Sequence, residues 1–181
     1  MTSGISSRSP VALSRQLLRP AVVPMHGAAD ITSLDATAVP FTLHFYDGAP
    51  VTVRFQGSGS EPASLWTTID SVKRVASLGP DWDSYGARPV SPQAFVRLLP
   101  LLPTLLTDET PVPSVVPHPS GGLVLEWHQG GYDLEVSVSG TGAIRWSLST
   151  AGDVEPLDWE TDSVPVKVRD ALFAMSDKAQ V

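Results

Sequence analysis

The fold turns on 122-GLVLEWHQGGYDLEVSVSGTGAIRWSLST-150. Leu123, Leu125 and Trp127 occupy every second position, as do Leu134, Val136 and Val138, and then Ile144, Trp146 and Leu148. A period of two predicts three strands, each with one apolar face. The turns fix how they pair. Gly130-Gly131 as a two-residue hairpin turn sets Trp127 opposite Leu134 and Glu126 opposite Glu135. Gly140-Thr141-Gly142 as a three-residue loop sets Val138 opposite Ile144 and Ser137 opposite Arg145. A slip of one residue would turn every apolar side chain outward, so the register is strongly specified. The segment reads as an antiparallel meander with one buried face.

Working outward, Pro111 to Pro119 is extended and punctuated by proline, which suits an edge strand over Ser114–Val116. Upstream, a helix starts near Ser60 with Pro62 in its first turn. It places Leu65, Ile69, Val72 and Ala76 on one side and stops at Gly79-Pro80. A second helix opens at Ser91-Pro92, a cap followed by a first-turn proline, and carries Phe95, Leu98, Leu99 and Leu102. Pro100 and Pro103 must kink or end it. After the meander come five acids in ten residues, Asp153 to Asp162, with no base among them. They read as a solvated linker; calcium binding is the lesser reading, because the spacing and central glycine of an EF-hand loop are missing. A last helix from about Val164 presents Val168, Leu172, Phe173 and Met175 to the sheet.

Three segments result. Residues 1–38 read as a flexible tail with one short amphipathic helix, Ser9-Pro10 opening it and Val11, Leu17 and Leu18 forming its stripe. Residues 39–56 read as a hairpin, 41-FTLHFY-46 and 51-VTVRF-55 about a turn-forming Asp-Gly. Residues 60–178 form the core domain. The expected fold class is α+β in two layers: an antiparallel meander of three to six strands packed on two or three helices. The apolar content, 42% of 181 residues, suffices for such a core.

Charge and composition exclude several roles. Residues 60–181 hold eight bases and sixteen acids, which does not fit a phosphate backbone spread over a broad surface. There is no cysteine, hence no disulfide scaffold, thiolate metal site or thiol nucleophile. No apolar run reaches membrane-spanning length, and the N-terminal residues lack the apolar core of a secretory signal. A cytoplasmic location is expected.

Between the two helices lies 79-GPDWDSYGARPVSP-92. Its position makes it first a rigid helix–helix connection. Trp82 and Tyr85 can cover helix ends, Gly86 can take a positive φ, and Asp81 or Asp83 can accept turn N–H groups. Arg88, held extended by Pro89, can reach a nearby acid. Aromatics and charge on a rigid loop also make binding surfaces.

The residues Trp82, Asp83, Tyr85, Gly86 and Ala87, then Ser91-Pro92, then Pro119, Ser120, Gly121, Gly122, Leu125, Glu126 and Trp127, then Leu134, Glu135 and Val136, form a pattern. It resembles that of a group of small proteins from bacterial and phage genomes, over roughly residues 62–140. Ser84 departs from it, standing where glycine is more usual. The resemblance implies an origin and a single module containing loop and sheet; it implies no activity.

The polar side of the meander is the second candidate surface. There Glu126 faces Glu135, His128 faces Asp133, and Arg145 lies diagonal to Glu135. Like charges across a strand pair are mildly unfavourable, so Arg145, Arg88, solvent or a ligand must offset them. The expected function is a non-catalytic protein-interaction module of bacterial or phage origin, which would suit defence, counter-defence or toxin neutralisation by analogy. It binds another protein through Trp82, Asp83, Tyr85, Arg88, Glu126, His128, Glu135 and Arg145. No catalytic residue, metal or cofactor is assigned. One alternative is a small metal-dependent hydrolase or nuclease using Asp83, Glu126, Glu135 and His128. The other is a structural subunit of a phage or other assembly.

Overall fold

The computed structural model describes residues 38–46, 50–56 and 61–178. The expected helix within 1–38 and the Asp47-Gly48 turn lie outside them. The elements run β1 (Ala38–Leu43), β2 (Val51–Gln56), α1 (Ala63–Ala76), α2 (Pro92–Leu98), α3 (Leu102–Leu105), β3 (Ser114–His118), β4 (Gly122–Gln129), β5 (Tyr132–Val138), β6 (Ile144–Thr150), β7 (Leu157–Glu160) and α4 (Val166–Lys178). This is an α+β fold with an antiparallel sheet packed against helices.

The meander pairs as its turns dictate. Trp127 lies opposite Leu134, Glu126 opposite Glu135, Val138 opposite Ile144 and Ser137 opposite Arg145. Gly130 and Gly131 both take positive φ, at 64° and 82°, the conformation a two-residue hairpin turn demands. Leu123, Leu125, Leu134, Val136 and Trp146 are fully buried, and Trp127 nearly so. Each indole N–H is satisfied outside the sheet: Trp127 Nε1 donates to the Pro111 carbonyl at 2.7 Å and Trp146 Nε1 to that of Thr161 at 2.9 Å. Burying these rings therefore strands no donor.

Two further strands widen the sheet to the order β3-β4-β5-β6-β7. β3 is an edge strand, as expected, extended to include Pro117. β7 corrects the linker reading of the acidic run. Leu157 and Trp159 pair with Leu148 and Trp146, while Asp158 and Glu160 lie opposite Ser147 and Arg145. Four residues of alternating pattern sit inside that run, and hydrogen bonding to β6 holds them.

The helices cover the apolar face. Leu65, Ile69, Val72 and Ala76 of α1 are buried together, and so are Phe95, Leu98, Leu99 and Leu102 around α2 and α3. Ser91 caps α2, its hydroxyl accepting from the Ala94 N–H. The helix stops at Leu98, before Pro100, and a short turn of helix follows at Leu102. α1 ends at Ala76, ahead of Gly79-Pro80, and begins after Pro62, which is its N-cap. On α4, Val168, Leu172 and Met175 are buried, but Phe173 is 62% exposed. The buried positions Val168, Ala171, Leu172, Met175 and Ser176 fall within one arc of α4, and at about 100° per residue Phe173 lies beyond that arc, on the solvent side.

The hairpin forms its own two-stranded sheet. It packs on the helices: Phe45 meets Phe95 of α2 edge-on at 5.1 Å between ring centres, and Lys73 of α1 sits 5.8 Å over the Phe41 ring. Gly79 accommodates Tyr46, since a Cβ there would lie 2.8 Å from its ring. Phe41, Leu43, Phe45 and Val53 thereby join the same core as the five-stranded sheet.

Candidate functional site

The 79–92 loop is a self-bonded turn. The Asp81 N–H donates to the Ala87 carbonyl at 2.8 Å and the Ser84 N–H to that of Asp81 at 3.0 Å. Asp81 Oδ1 accepts from the Gly86 N–H at 2.8 Å. Asp83 Oδ1 accepts twice, from the Tyr85 N–H at 2.8 Å and the Ala87 N–H at 3.0 Å. Short carboxylate side chains are the natural acceptors for turn amides, and Asp tolerates left-handed backbone. Asp81 at φ 62° and Ser84 at φ 64° take that conformation, with Gly86 at φ 88°.

Two anchors fix the loop to the sheet. The Arg88 N–H donates to the Pro119 carbonyl and the Ser91 N–H to that of Gly121, each at 2.9 Å. The Ser91 hydroxyl donates to the Gly140 carbonyl at 2.6 Å. Loop and meander thus belong to one module. Trp82 is half-buried and its Nε1 donates to the Arg88 carbonyl at 3.1 Å. Tyr85 does not cover a helix end; it is 93% exposed. Arg88 is exposed too, with no ion pair among the described residues.

The other face of the sheet is largely polar, although Val124 on it is buried. One row across it reads Ser114, Glu126, Glu135, Ser147, Asp158, and the next reads Val116, Val124, Ser137, Arg145, Glu160. Arg145 does not serve Glu135. Its Nη2 donates to Glu160 Oε1 at 3.1 Å, because β7 places Glu160 directly opposite. His128 Nε2 lies 3.7 Å from Glu126 Oε2 and Nδ1 lies 2.8 Å from Asp133 Oδ1. The hydrogen bond to Asp133 is the main cause that raises the His128 pKa above its ordinary 6.5; desolvation opposes it, and the Asp133 and Glu126 charges add to the rise. His128 thus sits between two carboxylates and relieves part of the Glu126–Glu135 repulsion when protonated.

The residues expected to act together fall into two groups. The loop is tied to the sheet beside Gly121 and Gly140. Glu126 lies four residues and His128 six residues along β4 from Gly122, or roughly 13 and 20 Å away. Arg88 cannot serve Glu135 from there. Asp83 is likewise distant from the His128 group, and its Oδ1 is spent on backbone amides. Among the described residues no group of three or more His, Asp or Glu is arranged to hold a metal ion, and no helix is long and apolar enough to cross a membrane.

Three residues outside the expected set matter here. Asp81 locks the loop, and Asp133 and Glu160 set the state of His128 and Arg145. Asp133 was visible in the strand register; Glu160 was hidden because its strand was read as linker. Comparison with protein-family models, with curated proteins and with solved structures gives no match.

Proposed function

We propose that the chain is a non-catalytic protein-interaction module of a bacterial or phage cytoplasm, which holds its partner through the 81–88 loop. One observation carries this reading: Tyr85 is 93% exposed on a loop whose backbone is already fixed. An aromatic ring presented on a preorganised loop contributes large contact area while losing little conformational freedom on binding. Such rings are typical anchors of protein interfaces. Trp82 and Arg88 flank it, and the polar sheet face with Glu126, Glu135, His128 and Arg145 offers a second, separate contact area. An exposed loop suits a protein partner better than a small substrate, which binds in a concave pocket.

The test is capture from a host lysate with the full chain as bait, identification of the captured protein, and titration of that protein, purified, against wild type and Tyr85→Ala. Truncating an anchor should weaken binding at least about tenfold. A partner that binds both baits equally would remove the loop from the interface, and recovery of no specific partner would leave the reading unsupported.

A further inference from the structure

The apolar face of the sheet ends at β7 in a groove. Leu148 on β6 is 5% exposed, whereas its β7 partner Leu157 is 42% exposed. Trp146 is fully buried, while Trp159 beside it is only half-buried. The groove is an open cleft of about 330 Å³, with Leu157, Asp158 and Trp159 of β7 on one wall and Pro165, Val166 and Lys167, at the start of α4, on the other. β7 is also the last strand of its sheet, and no strand pairs with its outer side among the described residues. In an antiparallel ladder alternate residues turn their N–H and C=O groups away from the neighbouring strand. An apolar slot thus lies along a row of backbone donors and acceptors that are open to pairing.

We infer that this edge takes up an extended segment of another protein, in which apolar residues alternate with Lys or Arg. In strand addition the main-chain hydrogen bonds give affinity and the alternate side chains give selectivity. A strand laid against β7 sends every second side chain to the apolar face, where it meets Leu157, Trp159 and Val166. The side chains between them go to the other face, level with Asp158 and Glu160. Asp158 is exposed, lies opposite Ser147 and has no ion pair among the described residues. Glu160 is exposed and shares its charge with Arg145, itself exposed. Opposite charges across a strand pair are favourable, so this row selects cations. Lys167 belongs to the helical wall, on the apolar side of the incoming strand and away from that row.

The same charges argue against a second copy of the chain as the occupant. Pairing two β7 strands about Asp158 or about Trp159 sets Asp158 against its own duplicate or against Glu160, and like charges directly opposite are destabilising. The edge disfavours its own kind and favours a strand of the other sign.

The test titrates the full, isotopically labelled chain with three short capped peptides. One alternates Lys and Val, one alternates Glu and Val, and the third is the Lys peptide methylated on its backbone nitrogens. The Lys peptide should bind at least about tenfold more tightly than the Glu peptide. It should shift the amide resonances of Leu157–Glu160, and methylation, which removes its donors, should abolish the effect. Asp158→Lys, a change at an exposed position, should reverse the order of the two peptides. Absence of binding, equal affinity for Lys and Glu peptides, binding that survives methylation, or shifts confined to β3 or the 81–88 loop would overturn the inference. So would resonance shifts at β7 on dilution without peptide, which would put a second copy at the edge. The two surfaces report through different resonances, so failure at β7 and failure at the 81–88 loop are told apart.

Discussion

Asp83 Oδ1 holds the Tyr85 and Ala87 amides at once, so its loss leaves two donors to find water on a crowded turn. Asp83→Ala is expected to cost about 1–3 kcal/mol. Asp83→Asn keeps an oxygen acceptor and should cost less; urea unfolding of the pair measures the difference. Ser84 offers the opposite case. At φ 64° its Cβ is strained, and glycine carries no such penalty, so Ser84→Gly should stabilise by up to about 1 kcal/mol, also read in urea. Both effects concern a single turn, and neither should disturb the sheet.

The β4–β5 hairpin is where charge and pH meet. Because Asp133 and Glu126 raise the His128 pKa in the folded chain, protonated His128 favours folding. That contribution is complete below the unfolded value near 6.5 and is lost as pH rises through the folded value. An NMR titration should place the His128 midpoint above 6.5, and Asp133→Asn should lower it. The melting temperature should show a gap between the two proteins in acid that closes in alkali. At the other end of β4, a Cβ on Gly122 would lie 2.5 Å from the Val138 carbonyl oxygen, which the backbone cannot accommodate without moving. Gly122→Ala should therefore cost about 2–4 kcal/mol, as overpacking and lost pairing combine, and calorimetry would register it.

The register of this hairpin was legible because turn length and alternation give the same answer. The partner of Arg145 was not. A three-strand reading leaves Glu135 as its nearest acid, and only the pairing of a fourth consecutive strand sets Glu160 across from it. Phe173 was misplaced for a simpler reason: hydrophobicity was counted without its angle around the helix.

At the scale of the whole molecule, the hairpin shares one core with the sheet although the two are not hydrogen-bonded to each other. Phe45→Ala removes the ring that meets Phe95, and should lower stability by about 3–5 kcal/mol. Unfolding should remain a single transition by circular dichroism and fluorescence alike; an early separate loss of strand signal would show the hairpin to be an independent unit. That the chain combines helices with an antiparallel sheet was legible, since helix faces and strand alternation are local properties. The number of sheets was not, because a hairpin's sequence states how its own arms pair and not which surface receives them.

The two borders of the five-stranded sheet are unlike. In β3, Pro117 pairs inward with Leu123, so the place where an incoming strand would seek a donor holds a ring carbon. β7 keeps its donors. Growth by adding neighbours could therefore begin at one border only, and two molecules joined there would present a blocked rim on either side. Such a pair is a dead end, and an endless ribbon built by this route has no second place to attach.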